Sequence, residues 1–393
     1  MIKTINDIDV ENKKVLVRCD FNVPIENGVI KDNTRIKKAL PTIKKLIERK
    51  ASVILMSHMG RPKGEIIDEL SLRPVSSEIS RLINREVKFC AHTIGEEAEK
   101  MADSLKSKEV MVVENLRFNT GEKTNDDNFS KSLARLGEVF VQDAFGTVHR
   151  EHASMVGVTK YLPGVAGELL MEEIKYLSKG LNPEHPFVVC LGGAKIETKI
   201  GVILNMLDRA DSILIGGGMA YTLLKAKGYE IGKSLLDEDN IGTAKEIFNK
   251  SEKNKTEILL PTDHIAADDI KQPSNIKEID NPEIKGDLIG VDIGEDTQNR
   301  YIEKIERAKT VVLNGPMGVF EKKEFASGTK KVFESVSRAT KKGASTIVGG
   351  GDTVSAIKNL DIDMQSFTHV STGGGASLKF LEGKDLPGIK ALE

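Results

Sequence analysis

Glycines gather at the ends of apolar runs in the second half of the chain. In GGGDTVSAIK, residues 349–358, three glycines follow the run Ser345–Val348, and an acid, a hydroxyl and a helical pattern come next. Bare N–H groups at a helix start can hold a phosphate, and the alternative is a simple tight turn. Similar exits occur in CLGGAKIETKIG, LIGGGMA, VDIG, LNGPMGVFE and STGGGA. A tight turn explains one or two of these exits, so the full set predicts a nucleotide-binding edge.

Charged side chains take the place of glycines at the ends of apolar runs in the first half. The segments are RCDFNVP, SHMGRP, ENLRF and DAFGTVHREH, and they carry Asp20, Asn22, His58, Arg61, Arg117 and Arg150. Arg35 stands at the head of the first helical pattern. Arginine suits forked recognition of carboxylate and phosphate. Any one of these arginines alone is explained by a surface salt bridge, but the group predicts a small, strongly anionic ligand.

Several familiar catalytic patterns are absent or incomplete in the sequence. GYEIGKS, residues 228–234, is one residue short of a P-loop and follows a helical pattern instead of a strand. No G-x-G-x-x-G occurs, which disfavours a dinucleotide-binding dehydrogenase. His149 and His152 lack a Cys/Asp cluster, which favours a ligand-binding or core role over a metal site.

Short β-branched runs that alternate with amphipathic stretches must position these residues. The runs are Val15–Arg18, Ser52–Met56, Val110–Val113, Val139–Val141, Phe187–Cys190, Ser212–Ile215, Ile258–Leu260, Asp287–Val291, Thr310–Leu313 and Thr346–Val348. Continuous apolar strands between helices predict an α/β fold with parallel sheets. Ten strands are too many for one small core, so we expect two such domains. Ligands of such sheets bind outside the carboxyl ends of the strands, where the glycines and arginines lie.

The first amphipathic stretch illustrates the helical pattern. In TRIKKALPTIKKLIERK, Ile36, Leu40, Ile43 and Ile47 recur at steps of three and four and so share one helix face. Pro41 lies within this stretch and is expected to start or kink a helix there.

Composition restricts the class of protein. The 393 residues are 39% hydrophobic and 30% charged with a net charge of −2, which predicts a soluble globular protein without a general nucleic-acid surface. The N-terminus has no signal-peptide core, and no run approaches the roughly 20 apolar residues of a membrane span. Three cysteines, all in or beside apolar runs, favour a reducing compartment, so we expect a cytoplasmic protein.

A boundary between the domains is expected near residues 160–185. LPGVAG, residues 162–167, is loop-like, a helical pattern follows over 168–177, and KGLNPEHP, residues 179–186, is another break. The helix between these breaks can connect the two halves. The last stretch, FLEGKDLPGIKALE, is too short to form a domain and must pack on one.

At this point the sequence closely resembles the phosphoglycerate kinase family, nearly end to end. The matching segments are VRCDFNVP, SHMGRP, ENLRF, GTVHREHAS, GGAKIETKI, NGPMGVFE, GGGDT and STGGGAS, in family order. The resemblance implies two Rossmann-like domains, each a parallel sheet flanked by helices, joined by a hinge helix. It implies a phosphoglycerate-binding domain over 1–167, a connecting helix over 168–180, a nucleotide-binding domain over 181–378, and a tail over 379–393 that returns to the first domain.

The resemblance also implies a site, residue by residue. The phosphoglycerate site comprises Asp20, Asn22, Arg35, His58, Arg61, Arg117 and Arg150. The nucleotide site comprises Lys195, Lys199, Gly216, Gly217, Gly290, Asn314, Glu321, Gly350, Gly351, Asp352 and Thr353. Within these sets and beside them, the catalytic groups are Arg35, Lys195, Gly351 and Gly374, and Asp352 lies next to Mg²⁺. A monomer that uses 3-phosphoglycerate or 1,3-bisphosphoglycerate with ADP or ATP is implied, without nucleic acid or membrane partners.

The sequence departs from the family pattern at a few positions. Leu313 stands where tryptophan is usual, which predicts different packing on the adenine side. Val148 and Glu151 stand where alanine is frequent, and Glu151 adds an anion beside Arg150.

Three other functions compete with this interpretation. A nicotinamide dehydrogenase lacks its glycine fingerprint, and a non-catalytic two-lobed binding protein has no need of a GGDT turn beside magnesium. A different acyl-phosphate kinase is the strongest rival on physical grounds, and the arginine set alone opposes it.

Overall fold

A computed structural model of the protein describes residues 2–393. The chain forms two compact units, the first extending to Ile174 and including Asp385–Glu393, the second comprising Lys175–Lys384. Across the described residues, no helix combines the length and the apolar character that crossing a bilayer requires.

The first unit is built on a six-stranded parallel sheet. Its strands and a small hairpin are β1 (Lys14–Arg18), β2 (Ile25–Glu26), β3 (Val29–Ile30), β4 (Ser52–Met56), β5 (Val87–Cys90), β6 (Val110–Val113), β7 (Val139–Gln142) and β8 (Gly164–Ala166). The sheet order is β5-β6-β4-β1-β7-β8, and β2 pairs with β3 separately. The central strands are buried because helices cover both of their faces, as the continuous apolar runs predicted.

Helices connect the strands of the first unit. They are α1 (Thr34–Glu48), α2 (Arg73–Ile83), α3 (Glu96–Asp103), α4 (Gly121–Thr124), α5 (Asp127–Ala134) and α6 (Glu168–Leu181), the last of which continues into the second unit. In α1, Ile36, Ile43 and Ile47 are buried as the spacing predicted, and Leu40 is half-buried. Pro41 neither starts α1 nor ends it. One missing N–H does not outweigh the apolar face that α1 buries in the core.

The segment 162–167 was expected to be a loop, and this expectation is wrong. Residues Gly164–Ala166 form β8, which pairs in parallel with β7. Pro163 does not prevent the pairing, because its carbonyl accepts a hydrogen bond of 2.9 Å from the N–H of Phe140. An edge strand needs donors on one side only, so a proline at its start is tolerated.

The second unit repeats the parallel architecture. Its strands are β9 (Phe187–Leu191), β10 (Ser212–Ile215), β11 (Glu257–Leu259), β12 (His264–Ala267), β13 (Ile276–Ile279), β14 (Ile289–Ile293), β15 (Thr310–Asn314), β16 (Ser345–Gly349) and β17 (His369–Val370). The six-stranded parallel sheet has the order β11-β10-β9-β15-β16-β17. Its helices are α7 (Ile200–Met206), α8 (Met219–Ala226), α9 (Ile241–Asn254), α10 (Glu295–Arg307), α11 (Ser327–Lys341), α12 (Gly351–Asn359) and α13 (Gly375–Leu381).

One predicted strand belongs to a different sheet. The run Asp287–Val291 was grouped with the parallel strands, but β14 joins β12 and β13 in a three-stranded antiparallel sheet. β14 lies at the edge of this sheet and pairs only with β12, and the opposite edge strand β13 has no buried residue, so the apolar run of β14 alone did not reveal its partners.

The end of the chain returns to the first unit. Short helix α14 (Pro387–Lys390) belongs to it, and the N–H of Gly388 donates to the carbonyl of Val148 at 2.8 Å. Leu392 is 7% exposed and packs at Gly164 of β8. The tail that groups with the first unit starts at Asp385, later than the predicted residue 379, because residues 379–381 lie in α13.

Candidate active site

The predicted anion-binding residues of the first unit lie just after the carboxyl ends of its strands. Asp20 follows β1, His58 follows β4, Arg117 follows β6, and Arg150 lies in the segment that leaves β7. Parallel strands end at the same edge of a sheet, so this topology gathers side chains that lie far apart in the sequence.

Asp20 forms an ion pair with Arg35 at this edge of the sheet. Its Oδ2 lies 3.2 Å from Nη1 of Arg35, and the same Nη1 donates to the carbonyl of Asn22 at 3.0 Å. The side-chain oxygen of Asn22 accepts a hydrogen bond of 3.0 Å from the N–H of Gly60. Arg35 remains one-third exposed, so its guanidinium has donors left for a ligand.

Three of the predicted arginines line one cavity of about 270 Å³. Its lining residues are Arg61, Lys63, Arg117, Lys123, Arg150 and His152. Sequence reasoning missed Lys63, Lys123 and His152 as parts of it, although Lys63 directly follows the SHMGRP segment. Five cationic side chains around a small cavity suit a ligand with more than one negative charge.

Arg117 is the most constrained cation of this cavity. It is 6% exposed, and Nη1 donates to the carbonyl of Gly60 at 2.6 Å. Burial, together with the neighbouring charges of Arg150 and Arg18, lowers the pKa of Arg117 to about 10, although Glu122 and Asp20 oppose the shift. Its buried Nε has no hydrogen-bond partner among the residues that the structure describes. A bound anion would satisfy this donor and relieve the repulsion between the arginines.

In the second unit, the glycine-rich strand exits surround two adjoining cavities of about 510 and 410 Å³. Both cavities are lined by Gly193, Ala194 and Asp352. The glycines permit close packing there: Gly217 has φ +67°, and a Cβ on it would lie 2.6 Å from the N atom of Gly193. The predicted nucleotide edge is therefore a continuous concave surface within one unit.

The larger cavity is mainly apolar. Its lining includes Tyr221, Leu235, Ile270, Ile289, Val291, Met317, Val319 and Phe320, together with Gly217, Gly290 and Glu321. Leu235 and Ile270 are 46% and 37% exposed, although they are large apolar residues. An apolar cavity with a few polar groups at its edge suits a flat ring such as a nucleobase.

The smaller cavity contains a buried lysine. Lys199 is 8% exposed, and its Nζ donates to Oδ1 of Asn314 at the end of β15. Burial lowers the pKa of Lys199 to about 8, and the carboxylate of Asp352 opposes this shift. The buried Nδ2 of Asn314 has no hydrogen-bond partner in the described part of the chain. A phosphate in this cavity would supply the missing anion and an acceptor.

Helix α12 begins beside the same cavity. Gly350 has φ +101°, a conformation that favours glycine, and Gly351 is the first helical residue. Thr353 joins two strand exits, because its hydroxyl accepts from the N–H of Gly315 at 2.8 Å and donates to the carbonyl of Gly349 at 2.6 Å. The helix start thus presents backbone N–H groups to an anion in the cavity.

The other predicted nucleotide residues fall in three places. Lys195, Gly350, Gly351 and Gly374 line the smaller cavity, and Gly290 and Glu321 line the larger one. Gly216 lines neither and packs on Met317. Leu313 is fully buried in the core and also lines neither cavity, so it contributes to core packing and not to the surface that a ring would meet.

Lys233 of the GYEIGKS segment lies closer to this site than the sequence indicated. It lines the larger cavity, but its Nζ pairs with Asp287 at 2.9 Å and its side chain is 63% exposed. The segment follows α8 and not a strand, so its backbone is not a P-loop.

The acidic residue predicted beside a metal is exposed at the junction of the two cavities. Among the described residues, no group of three His, Cys, Asp or Glu side chains is placed to hold a metal ion. Asp352 alone fits Mg²⁺, which is commonly bound by one or two carboxylates while phosphate oxygens and waters complete its shell.

Comparison with known proteins identifies the family of the chain. The family model for phosphoglycerate kinase matches residues 5–384. Curated relatives named phosphoglycerate kinase include those of Dictyoglomus turgidum, 50% identical over 100% of this chain and 98% of the relative, and Chloroherpeton thalassium, 49% identical over 99% and 98%.

Solved structures give the same result. The phosphoglycerate kinase of Coxiella burnetii has a TM-score of 0.90 and 39% identity, covering 100% of this chain and 99% of that one. The enzyme of Pyrococcus horikoshii has a TM-score of 0.85 and 33% identity, covering 100% and 98%. With its whole length matched by sequence and by fold, the chain belongs to the phosphoglycerate kinase family.

Proposed function

We propose that the chain transfers a phosphoryl group reversibly from 1,3-bisphosphoglycerate to ADP, giving 3-phosphoglycerate and ATP. The chain is a phosphotransferase of its family, and the cavity lined by five cations in the first unit supports the finer assignment. Acceptors such as acetate carry a carboxylate but no phosphate, and they would leave this cavity without its counter-charge.

In the first unit, Arg61, Arg117 and Arg150 bind the phosphate that is not transferred. Asp20, Asn22 and His58 bind the rest of the phosphoglycerate. Arg35 faces the transferred group, and Asp20 holds its guanidinium by the ion pair of 3.2 Å. Forked donors fixed in this way distinguish a phosphorylated acid from a simple carboxylate.

In the second unit, the apolar cavity holds the nucleobase, with Gly216, Gly217, Gly290 and Glu321 at or beneath its surface. Lys195, Lys199 and Asn314 bind the phosphates in the smaller cavity. The turn from Gly350 to Thr353 supplies N–H groups from the start of α12. Mg²⁺, held by Asp352 and the nucleotide, would neutralise phosphate charge when bound.

The proposed mechanism needs no general base. The attacking oxygen is a carboxylate in one direction and a diphosphate in the other, and both are anionic at neutral pH. The obstacle is repulsion between anions, so catalysis consists of positioning and electrostatic stabilisation. Arg35, Lys195 and the N–H groups of Gly351 and Gly374 stabilise the charge of the transferred group.

We also propose that the connecting segment around 168–180 acts as a hinge. The phosphoglycerate residues all lie in the first unit and the nucleotide residues in the second, so transfer requires the two ligands to approach. Joint approach also excludes water, which would otherwise accept the phosphoryl group.

A coupled assay that detects ADP tests the proposal. With Mg-ATP, 3-phosphoglycerate is expected to support turnover, whereas acetate, carbamate and aspartate are not. Equal or greater turnover with one of these three would identify a different acyl-phosphate kinase and overturn the assignment.

A further inference from the structure

Arg18 is a buried cation that lies outside every site described above. It occupies the end of β1, in a strand whose three preceding residues are apolar, and its side chain is fully buried. Burial lowers its pKa, while the carboxylates of Glu122 and Asp20 oppose this effect. A buried guanidinium is costly unless its donors are all engaged, so its partners indicate its role.

The partners of Arg18 form a chain of hydrogen bonds with a single direction. Its Nε donates to Oγ of Ser154 at 2.8 Å, and that hydroxyl donates to Oε1 of Glu122 at 2.7 Å. The N–H of Ser154 also donates to Oε2 of Glu122 at 3.0 Å. A guanidinium can only donate and a carboxylate only accepts, so the serine hydroxyl has one possible orientation. Glu122 is fully buried and is the last acceptor in this series of hydrogen bonds.

The other end of Arg18 contacts a predicted ligand-binding residue. Its Nη1 donates to the carbonyl of Cys19, and its Nη2 lies 3.2 Å from Nδ1 of His58. Because the guanidinium has no acceptor, Nδ1 must be the acceptor, and the ring hydrogen must lie on Nε2. Asp20 does not compete for this nitrogen, since its Oδ1 is 3.9 Å away, beyond hydrogen-bond distance.

The charges around His58 also favour the neutral form of its ring. The ring is 3% exposed, and the surrounding cations are Arg18, Arg117, Arg150 and Arg35, with Asp20 as the neighbouring anion. Burial first, and then these arginines, hold the pKa of His58 well below its ordinary value. The ring is therefore neutral at physiological pH, and a neutral ring can donate from one nitrogen only.

We propose that Arg18 is a positioning residue: it holds the ring of His58 in the neutral form with hydrogen on Nε2, so that this nitrogen donates to the anion bound among the arginines. Arg18 itself is too buried to touch that ligand. The identity of the ligand as a phosphoglycerate rests on the proposed function, but the state of the ring does not.

The ring can be observed directly in the full-length protein without ligand. Histidine labelled with ¹⁵N gives two-bond correlations that distinguish the two neutral tautomers from the imidazolium, and His58→Gln assigns the signal. We expect a protonated Nε2 and an unprotonated Nδ1 at pH 6–8. Hydrogen on Nδ1, or an imidazolium at pH 7, would overturn the proposal even in an enzyme of full activity.

The variant Arg18→Met removes the donor and keeps an apolar chain of similar length. We expect His58 to protonate at higher pH, because a cation is lost while Asp20 remains 3.9 Å away. At a pH where the ring of the variant is still neutral, its hydrogen is no longer fixed on Nε2, so the KM for 3-phosphoglycerate should rise by up to roughly 10- to 100-fold, the usual effect of losing a hydrogen bond to a charged group. The dissociation constant for ADP should change little. Unchanged His58 titration in folded Arg18→Met would contradict the proposal.

A double-mutant cycle separates positioning from general destabilisation. In a His58→Gln background, Arg18→Met should add little further loss in KM, because the effect passes through His58. Full additivity would assign Arg18 a purely structural role. Arg49→Met is a matched control, since Arg49 also donates to backbone carbonyls, at 3.0 Å for Ile8, but is not among the charges that act on His58. If Arg18→Met does not fold, the double variant Arg18→Met/Glu122→Gln is used in its place, because it removes both buried charges together.

An error in the proposed function can be distinguished from an error in the role of Arg18. Absence of phosphoglycerate turnover in the wild-type enzyme, with hydrogen on Nε2 of His58, would refute the substrate and leave the positioning of the ring established.

Discussion

The carboxyl group of Asp143 accepts a hydrogen bond from the N–H of Leu169 at 3.0 Å, which ties the residue after β7 to the first turn of α6. The same oxygen accepts from the N–H of Leu170 at 3.3 Å. Asp143 is fully buried, and burial raises its pKa to about 8, although Thr42 and these two N–H groups oppose the shift. The folded protein therefore holds a proton at Asp143 that the unfolded chain releases.

This raised pKa predicts how stability depends on pH. Because the pKa is higher in the folded state, the contribution is present below the unfolded value near 4 and is lost as pH rises through about 8. The variant Asp143→Asn keeps the acceptor and cannot ionise, so its free energy of unfolding should fall less between pH 5 and 8.5. Urea denaturation at several pH values measures this. Asp292→Asn is the control for a second buried carboxyl group, whose pKa burial raises to about 7. Parallel curves for wild type and Asp143→Asn would contradict the prediction.

Arg35→Ala should reduce turnover on the order of a hundredfold, about 3 kcal/mol, because one well-placed donor to the transferred group is lost. Binding of ADP, measured by calorimetry, should be unchanged, since Arg35 lies in the first unit. A variant that keeps more than about half of the wild-type turnover would show that Arg35 does not act on the reacting group.

Binding of ADP should draw a proton from solution at pH 8–9. The pKa of Lys199 is lowered to about 8 by burial, so the group is partly neutral there, and nearby phosphates favour its charged form. Calorimetry in two buffers of different ionisation enthalpy measures the proton uptake. The uptake should disappear in Lys199→Met. It should persist in Lys233→Ala, which removes an exposed lysine already paired with Asp287 and should keep near-wild-type activity. Equal proton uptake in Lys199→Met and wild type would exclude Lys199 as its source.

Gly290→Ala should weaken nucleotide binding several-fold while leaving the phosphoglycerate KM unchanged. An added Cβ would lie 1.9 Å from the hydroxyl oxygen of Tyr221, which lines the larger cavity, so the ring must move. Gly242→Ala is the matched control, because a Cβ there meets nothing within 4 Å. Fluorescence titration with a labelled ADP compares the two. Identical affinities would show that the cavity tolerates the shift or that the nucleobase binds elsewhere.

The two ligands together should make the protein more compact than either ligand alone. A ligand shifts a conformational equilibrium only by what it gains in the favoured state, and two anions with Mg²⁺ offer Arg35 and Lys195 a shared partner. Small-angle scattering on the free, singly and doubly liganded protein measures the radius of gyration. The same radius in all four states would contradict a hinge at 168–180.

The local pattern of the sequence determined most of the sheet and the types of residue at its edge. Apolar runs such as Ser52–Met56 are buried on both faces, and only a strand between layers of helices satisfies that pattern. Because ligands meet such sheets at the carboxyl ends of the strands, Arg117 was predicted to bind an anion from the sequence pattern, whereas Asn314 was assigned only through the family resemblance. Where the pattern is weak, the prediction failed, as for β8, whose few residues become a strand only by pairing with β7.

Only the tertiary structure decided which side chains meet. Arg18 and Ser154 are 136 residues apart, and nothing in either local pattern indicates that a buried guanidinium and hydroxyl are joined. The charged residue inside an apolar strand was the one visible signal. The same is true of Asp143 and of the lysines that complete the cation cavity, because hydrogen bonds and burial depend on distances across the fold. Spacing along the chain carries information on periodicity and turns, whereas the pKa values and proton positions of the site arise from neighbours that the fold brings together.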